Sequence, residues 1–171
     1  KKVNDMQFFF EVLIGGLLSG VMYSLVALGF VLIYKASGVF NFAQGAMVFF
    51  AALTFVGIME MGVPFGFALI LAFGAMVLLA IATERVVLRP LVNQPQITLF
   101  MATIGLTFLV EGLAQGMWGA SVRGLEIPGI QDEPLQWMME TTGIGVSKFD
   151  LFAAGVSAVL VVVLAIFFNK T

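Results

Sequence analysis

Apolar residues run through this chain in five long blocks, at 8–34, 39–59, 63–82, 97–118 and 149–168. Each is near the ~20 residues that a helix needs to cross the hydrocarbon core of a bilayer. A helix on the surface of a soluble protein carries one apolar stripe, whereas these blocks are apolar nearly all round. The pattern predicts an all-α, polytopic transmembrane helix bundle with about five spanning helices, in a single domain over 1–171.

The breaks between blocks are short except for one. Helix 1 is predicted over 8–33, with small residues Gly15, Gly16, Ser19, Gly20 and Ser24 crowding its first half. Gly16 and Gly20 form a G-x-x-x-G pair, which lets a neighbouring helix approach closely. Tyr34-Lys35-Ala36-Ser37-Gly38 separates it from helix 2, predicted over 39–59 and opening with Asn41-Phe42-Ala43-Gln44-Gly45. Met61-Gly62-Val63-Pro64 reads as a tight turn, with Pro64 suited to the first turn of helix 3. That helix is predicted to end near Thr83, before the polar run Glu84-Arg85-Val86-Val87-Leu88-Arg89-Pro90 and the break Asn93-Gln94-Pro95. Helix 4 is predicted over 96–118. The connection 119–148 carries Arg123, Glu126, Asp132, Glu133, Glu140 and Lys148 and reads as an extramembrane, periplasmic loop. Within it, 134–142 is predicted as a short interfacial helix with Trp137 at the lipid boundary. Helix 5 opens on Ser147-x-x-Asp150, the pattern of a capping box, and runs to Phe168.

Composition narrows the chemistry. Hydrophobic residues make up 61% of the chain and charged residues 11%, with neither cysteine nor histidine. Disulfides, thiol chemistry, haem and most zinc or copper sites are excluded, because those metals rely on imidazole or thiolate. A Ser-His-Asp constellation is impossible without histidine, and no phosphate-binding G-x-x-x-x-G-K-[ST] loop occurs. The chain is therefore expected to be neither an enzyme nor a nucleotide hydrolase, and no cofactor is implied. A net charge of −2 without a basic cluster gives no footing for nucleic acid. Five spans would place Lys1, Lys2, Arg123 and Lys148 on one face and Lys35, Arg85, Arg89 and Lys170 on the other. This even split leaves the positive-inside rule undecided. The acids Asp5, Glu60, Glu126, Asp132, Glu133 and Glu140 fall on the first face, which favours an external amino terminus and a cytoplasmic Arg85/Arg89 segment. The chain begins at Lys1 and stops directly after an apolar block, the pattern of an N-terminal fragment of a longer protein.

Ionisable groups inside a membrane helix are costly and mark function by default. Glu11 sits in the opening turns of helix 1, where the helix dipole and nearby water favour an acid. Glu111 is deeper. Thr103, Thr107, Glu111 and Gln115 recur every four residues and share one slowly drifting face, beside a second G-x-x-x-G at Gly112 and Gly116. That face reads either as the lining of a pathway or as a buried packing seam. Asn41 and Gln44 read either as groups at a broken helix that binds substrate or as the cap and third position of an ordinary helix start.

The run Gly29-Phe30-Val31-Leu32-Ile33-Tyr34-Lys35-Ala36-Ser37-Gly38-Val39-Phe40-Asn41-Phe42-Ala43-Gln44-Gly45 closely resembles the permease subunits of branched-chain amino acid ABC importers, H-type. Glu84-Arg85, Arg89-Pro90-Leu91 and Thr103-Ile104-Gly105 are similar to segments of the same family. The resemblance implies an inner-membrane permease for branched-chain amino acids. It also implies a second homologous permease, two cytoplasmic ATPases and a periplasmic or extracellular solute-binding protein as partners, alongside membrane lipid. Urea-type ABC permeases share much of the pattern, and an ion-coupled secondary transporter is the other alternative. Asn41, Gln44, Thr107 and Glu111 are the candidate path residues. Gly16, Gly20, Gly112 and Gly116 are the candidate helix-packing positions.

Overall fold

A computed structural model describes residues 5–121, 123–124, 134 and 145–170. Its regular elements are helical: α1 Asp5–Ser37, α2 Gln44–Glu60, α3 Phe65–Thr83, α4 Gln96–Trp118 and α5 Lys148–Lys170. A π-turn at Glu84–Leu88 and a 3₁₀ turn at Arg89–Leu91 continue α3. The predicted helix at 134–142 lies outside the described residues apart from Pro134, which forms an isolated bridge with Ser147. Four helical stretches are long and apolar enough to cross a membrane: Phe8–Lys35, Phe65–Leu91, Gln96–Trp118 and Lys148–Phe168. An all-α polytopic bundle is what the apolar blocks predict.

Two boundaries differ from the sequence reading. Helix 2 starts at Gln44 rather than near residue 39, because Gly38 takes a φ of +69° and turns the chain out of α1 before α2 begins. The helix that remains has 17 residues, a rise of about 26 Å at 1.5 Å per residue. It stands at the lower limit for a bilayer span. Helix 3, in turn, does not stop at Thr83. Pro90 lacks an N–H and its ring crowds the carbonyl four residues earlier, which an α-turn cannot accommodate. The backbone widens instead, and the Arg89 N–H bonds the Glu84 carbonyl five residues back. Helical structure thus carries the polar run to Leu91. Asn93, at φ 75°, then turns the chain before α4.

The chain divides into two compact units, one of Lys1–Gly29 with Glu126–Thr171 and one of Phe30–Leu125. In the first, the Ser147 hydroxyl accepts the Phe149 N–H at 3.0 Å and Asp150 lies in the first turn of α5, which gives the serine cap of the predicted capping box. A Cβ at Gly145 would stand 3.3 Å from the Glu11 carboxylate. Val146, Ala154 and Ser157 are buried, while Phe8, Phe9, Leu17 and Tyr23 of α1 are exposed.

In the second unit α2 lies between α3 and α4. Its core combines Ala43, the residue just before α2, and Ala46 and Phe50 of α2 with Leu106, Val110 and Ala114 of α4. The spacing of three and four residues puts each set on one helix face. Alanine at half of these positions brings the two backbones close, which is how helices gain contact where lipid removes the hydrophobic drive to associate. Phe42 meets Phe100 near the starts of the two helices, and Thr54 meets Trp118 toward their ends. The two helices are therefore parallel, with α3 running back. One end of the unit collects Lys35, Arg85 and Arg89, and the other collects Glu60, Trp118 and Arg123.

Candidate functional site

The first candidate group lies where α1 gives way to α2. The Gly38 N–H closes α1 on the Tyr34 carbonyl at 2.8 Å, and residues 39–43 are non-helical. Asn41 is buried there. Its Oδ1 accepts the Ala43 N–H at 3.1 Å, its carbonyl accepts the Gln44 N–H at 3.2 Å, and its Nδ2 faces Met47 Sδ at 3.7 Å. Gln44, the first residue of α2, is also buried. Asparagine suits this turn because its short side chain satisfies backbone donors that the helix start leaves open. Asn41→Ala is expected to lower stability in detergent by about 1 kcal/mol, the usual cost of losing such an acceptor; thermal unfolding of the purified protein checks it.

Aromatic rings surround this break. Tyr34 stacks on Phe40 with centroids 4.4 Å apart, Phe40 approaches Phe42 at 6.3 Å, and Phe42 meets Phe100 edge-on at 4.8 Å. With Gly38 and Gln96 they line a cavity of about 270 Å³.

The polar face of α4 is the second group. Thr103 is fully buried and its hydroxyl donates to the Phe100 carbonyl at 3.0 Å; the Thr107 hydroxyl donates to the Thr103 carbonyl at 3.0 Å. Both hydroxyls thus bond their own helix, as such residues often do within a helix. Glu111 is half-buried past the midpoint of α4, and Gln115 is exposed. Asn41 and Gln44 therefore stand at the basic end, while Glu111 and Gln115 lie toward the other. A Cβ placed on Gly16, Gly20, Gly112 or Gly116 would meet nothing within 4 Å, so these glycines receive no close neighbour among the described residues of this chain.

Sequence reasoning puts Glu60 and Arg123 on the same face but misses how closely they are tied. Arg123 Nη1 pairs with the Glu60 carboxylate, and Nη2 donates to the Trp118 carbonyl. The Trp118 indole donates to Thr54 Oγ1 at 3.2 Å and its ring packs against Gly57. The signal was an opposite charge at each of two helix ends with a glycine one turn before the acid. Beside Arg123 is a cavity of about 360 Å³. Among the described residues no group of three acids, histidines or cysteines is placed to hold a metal ion.

Membrane-length apolar helices, joined between α1 and α2 by a turn with buried amides, define a polytopic helical membrane protein. The sequence pattern of one family, described as branched-chain amino acid transport system / permease component, matches residues 12–171, and the chain belongs to that family. It is 25% identical over 141 residues to the high-affinity branched-chain amino acid transport system permease protein LivH of Escherichia coli, covering 77% of this chain and 44% of that one. LivH of Salmonella typhimurium is 23% identical over the same shares. The permease protein BraD of Pseudomonas aeruginosa is 27% identical over 118 residues, 63% of this chain and 38% of that one. The chain thus spans less than half the length of these relatives. No solved structure matches it.

Proposed function

We propose that this chain contributes to the membrane-spanning permease of an ATP-driven importer for branched-chain amino acids, in the bacterial inner membrane. The family match over 12–171 carries this reading, and the four membrane-length helices fit it. In this reading the path forms with a second, homologous permease, and two cytoplasmic ATPases hydrolyse ATP. An external solute-binding protein delivers the substrate. The chain forms one transmembrane domain whose 119–148 loop lies on the periplasmic side, with Lys35, Arg85 and Arg89 toward the cytoplasm.

Asn41, Gln44, Thr107 and Glu111 are the proposed polar groups of the path. The burial of Asn41 and Gln44 at a helix break supports the first two, since unwound backbone at membrane depth is tolerated where it lines a cavity or is buried in protein. Gly16, Gly20, Gly112 and Gly116 are outward positions at which a second permease's helices are proposed to pack closely.

Uptake of labelled leucine and labelled urea is to be measured in proteoliposomes holding the full-length protein with its partner subunits, with and without internal ATP. Leucine uptake that needs both ATP and the binding protein is the expected result. ATP-dependent uptake of urea alone would move the substrate to amides, and uptake indifferent to ATP would overturn the importer reading.

A further inference from the structure

We propose that the aromatic cavity at the α1–α2 turn holds an anionic phospholipid, with a chain among its rings and the phosphate at Lys35. Arg85 and Arg89 add positive charge at the same end. Such a site goes beyond the importer reading and does not depend on it.

The cavity, about 270 Å³, lies wholly within the compact unit of residues 30–125. Its rings are those of Tyr34, Phe40, Phe42 and Phe100. Tyr34, Phe40 and Phe42 are exposed, although Tyr34 stacks on Phe40 and Phe42 meets Phe100 edge-on. Rings already fixed against one another give a hydrocarbon chain a firm surface, on which many weak dispersion contacts add up. Aromatic side chains also collect at the level where hydrocarbon gives way to headgroups, which is the level of a phospholipid's glycerol esters. Tyr34 and Gln96 are exposed residues of the cavity lining. Their hydroxyl and amide are donors suited to ester and phosphate oxygens.

Charge selects the headgroup. Lys35 stands one residue after Tyr34 and three before Gly38, both of which line the cavity. A lysine so placed packs its stem on apolar surface and carries its ammonium out to the phosphate level. The same end of the unit holds Arg85 and Arg89, both exposed, against one acid among the described residues, Glu84. Glu84 approaches Arg89 only to 4.0 Å, and the Arg89 side chain stays 72% exposed. At the opposite end the charges are already matched, because Arg123 is paired with Glu60. Surplus positive charge beside a ring-lined apolar cavity matches an amphiphile with a negative headgroup, and basic pockets between membrane helices bind such headgroups. An acidic protein surface would match the charge but leave the cavity without an occupant.

The test titrates the purified full-length protein in detergent with phosphatidylglycerol and with phosphatidylcholine, and counts bound lipid by native mass spectrometry. At low salt the wild type is expected to bind phosphatidylglycerol about tenfold or more tightly. Lys35→Gln changes an exposed position and should lower that preference about fivefold, the worth of one basic residue at an anionic surface. Lys148→Gln removes the same charge from the other compact unit, and should leave the preference as in the wild type. Leu99 also lines the cavity; Leu99→Trp fills space without altering charge, and should weaken both lipids alike. Equal binding of the two lipids by the wild type would overturn the site, as would an equal fall in preference for Lys35→Gln and Lys148→Gln. So would a Leu99→Trp variant that binds both lipids as the wild type does. Loss of partner-subunit assembly in Lys35→Gln, with the lipid preference intact, would assign this end to a protein surface instead. A preference lowered by Lys35→Gln and not by Lys148→Gln supports the site even where Leu99→Trp fails to fold.

Discussion

Gly57→Ala is expected to lower the stability of the protein in detergent by about 1–3 kcal/mol, the typical cost of overpacking a filled contact. A Cβ at Gly57 would stand 2.1 Å from Cε3 of Trp118 and 2.5 Å from Cζ3. Those are ring atoms, and the ring has little freedom to retreat. Its Nε1–H is bonded to Thr54 Oγ1, and the backbone carbonyl of the same residue is held by Arg123. Accommodating one methyl group therefore means either breaking the Thr54 bond or moving α4 away from α2. Thermal unfolding measures the loss, and the double variant Gly57→Ala/Trp118→Leu identifies its origin. Removing the ring should abolish most of the penalty, a coupling that appears only between residues in contact. An equal penalty for Gly57→Ala in both backgrounds would show that the Trp118 contact is not responsible.

Gly38→Val is expected to have the second large effect, on uptake more than on assembly. At φ +69° a side chain meets the following carbonyl, which costs roughly 1–2 kcal/mol for an ordinary residue and more for a β-branched one. The relief available to the chain is to continue α1 through this point. That would re-lay residues 39–43, separate Tyr34 from Phe40 and remove Asn41 from the Ala43 N–H. Gly38→Asn, by contrast, should be tolerated, because asparagine visits the left-handed region readily. Leucine uptake by the two variants at matched amounts of assembled complex checks this. Equal loss in both would indicate that the space at Gly38, rather than its backbone conformation, is what matters.

These two glycines also show which parts of the molecule the sequence makes legible. The apolar blocks identify every long helix among the described residues, and the start and end of α4 coincide with the predicted 96–118, because proline and glycine stand immediately outside it. The capping hydroxyl of Ser147 is equally plain, since the pattern is local. Boundaries governed by a special backbone state are not. The apolar run over Val39, Phe40 and Phe42 reads as helix by composition, but Gly38 has already turned the chain out of α1. The π-turn at Glu84–Leu88 is hidden for a related reason: Pro90 suggests a helix end, whereas a widened turn keeps the helix going. For the candidate groups, burial of Asn41 and Gln44 follows from their place at a helix start. The meeting of Glu60 with Arg123 lies 63 residues apart in the chain, beyond the reach of any periodicity. It depends on α2 and α4 being parallel, which a list of helices does not reveal.

The wedge formed by Trp118 also makes the protein its own spectroscopic probe. Residues 1–171 hold two tryptophans, Trp118 and Trp137, so replacing Trp137 leaves a single indole in this segment. That indole touches α2 through Gly57 and Thr54, and its own carbonyl is bound by the guanidinium beside the 360 Å³ cavity. Its emission wavelength and quenching therefore track the separation of α2 from α4 and the state of Arg123 together, without an added label. A movement that parts these helices would be recorded as a change of colour.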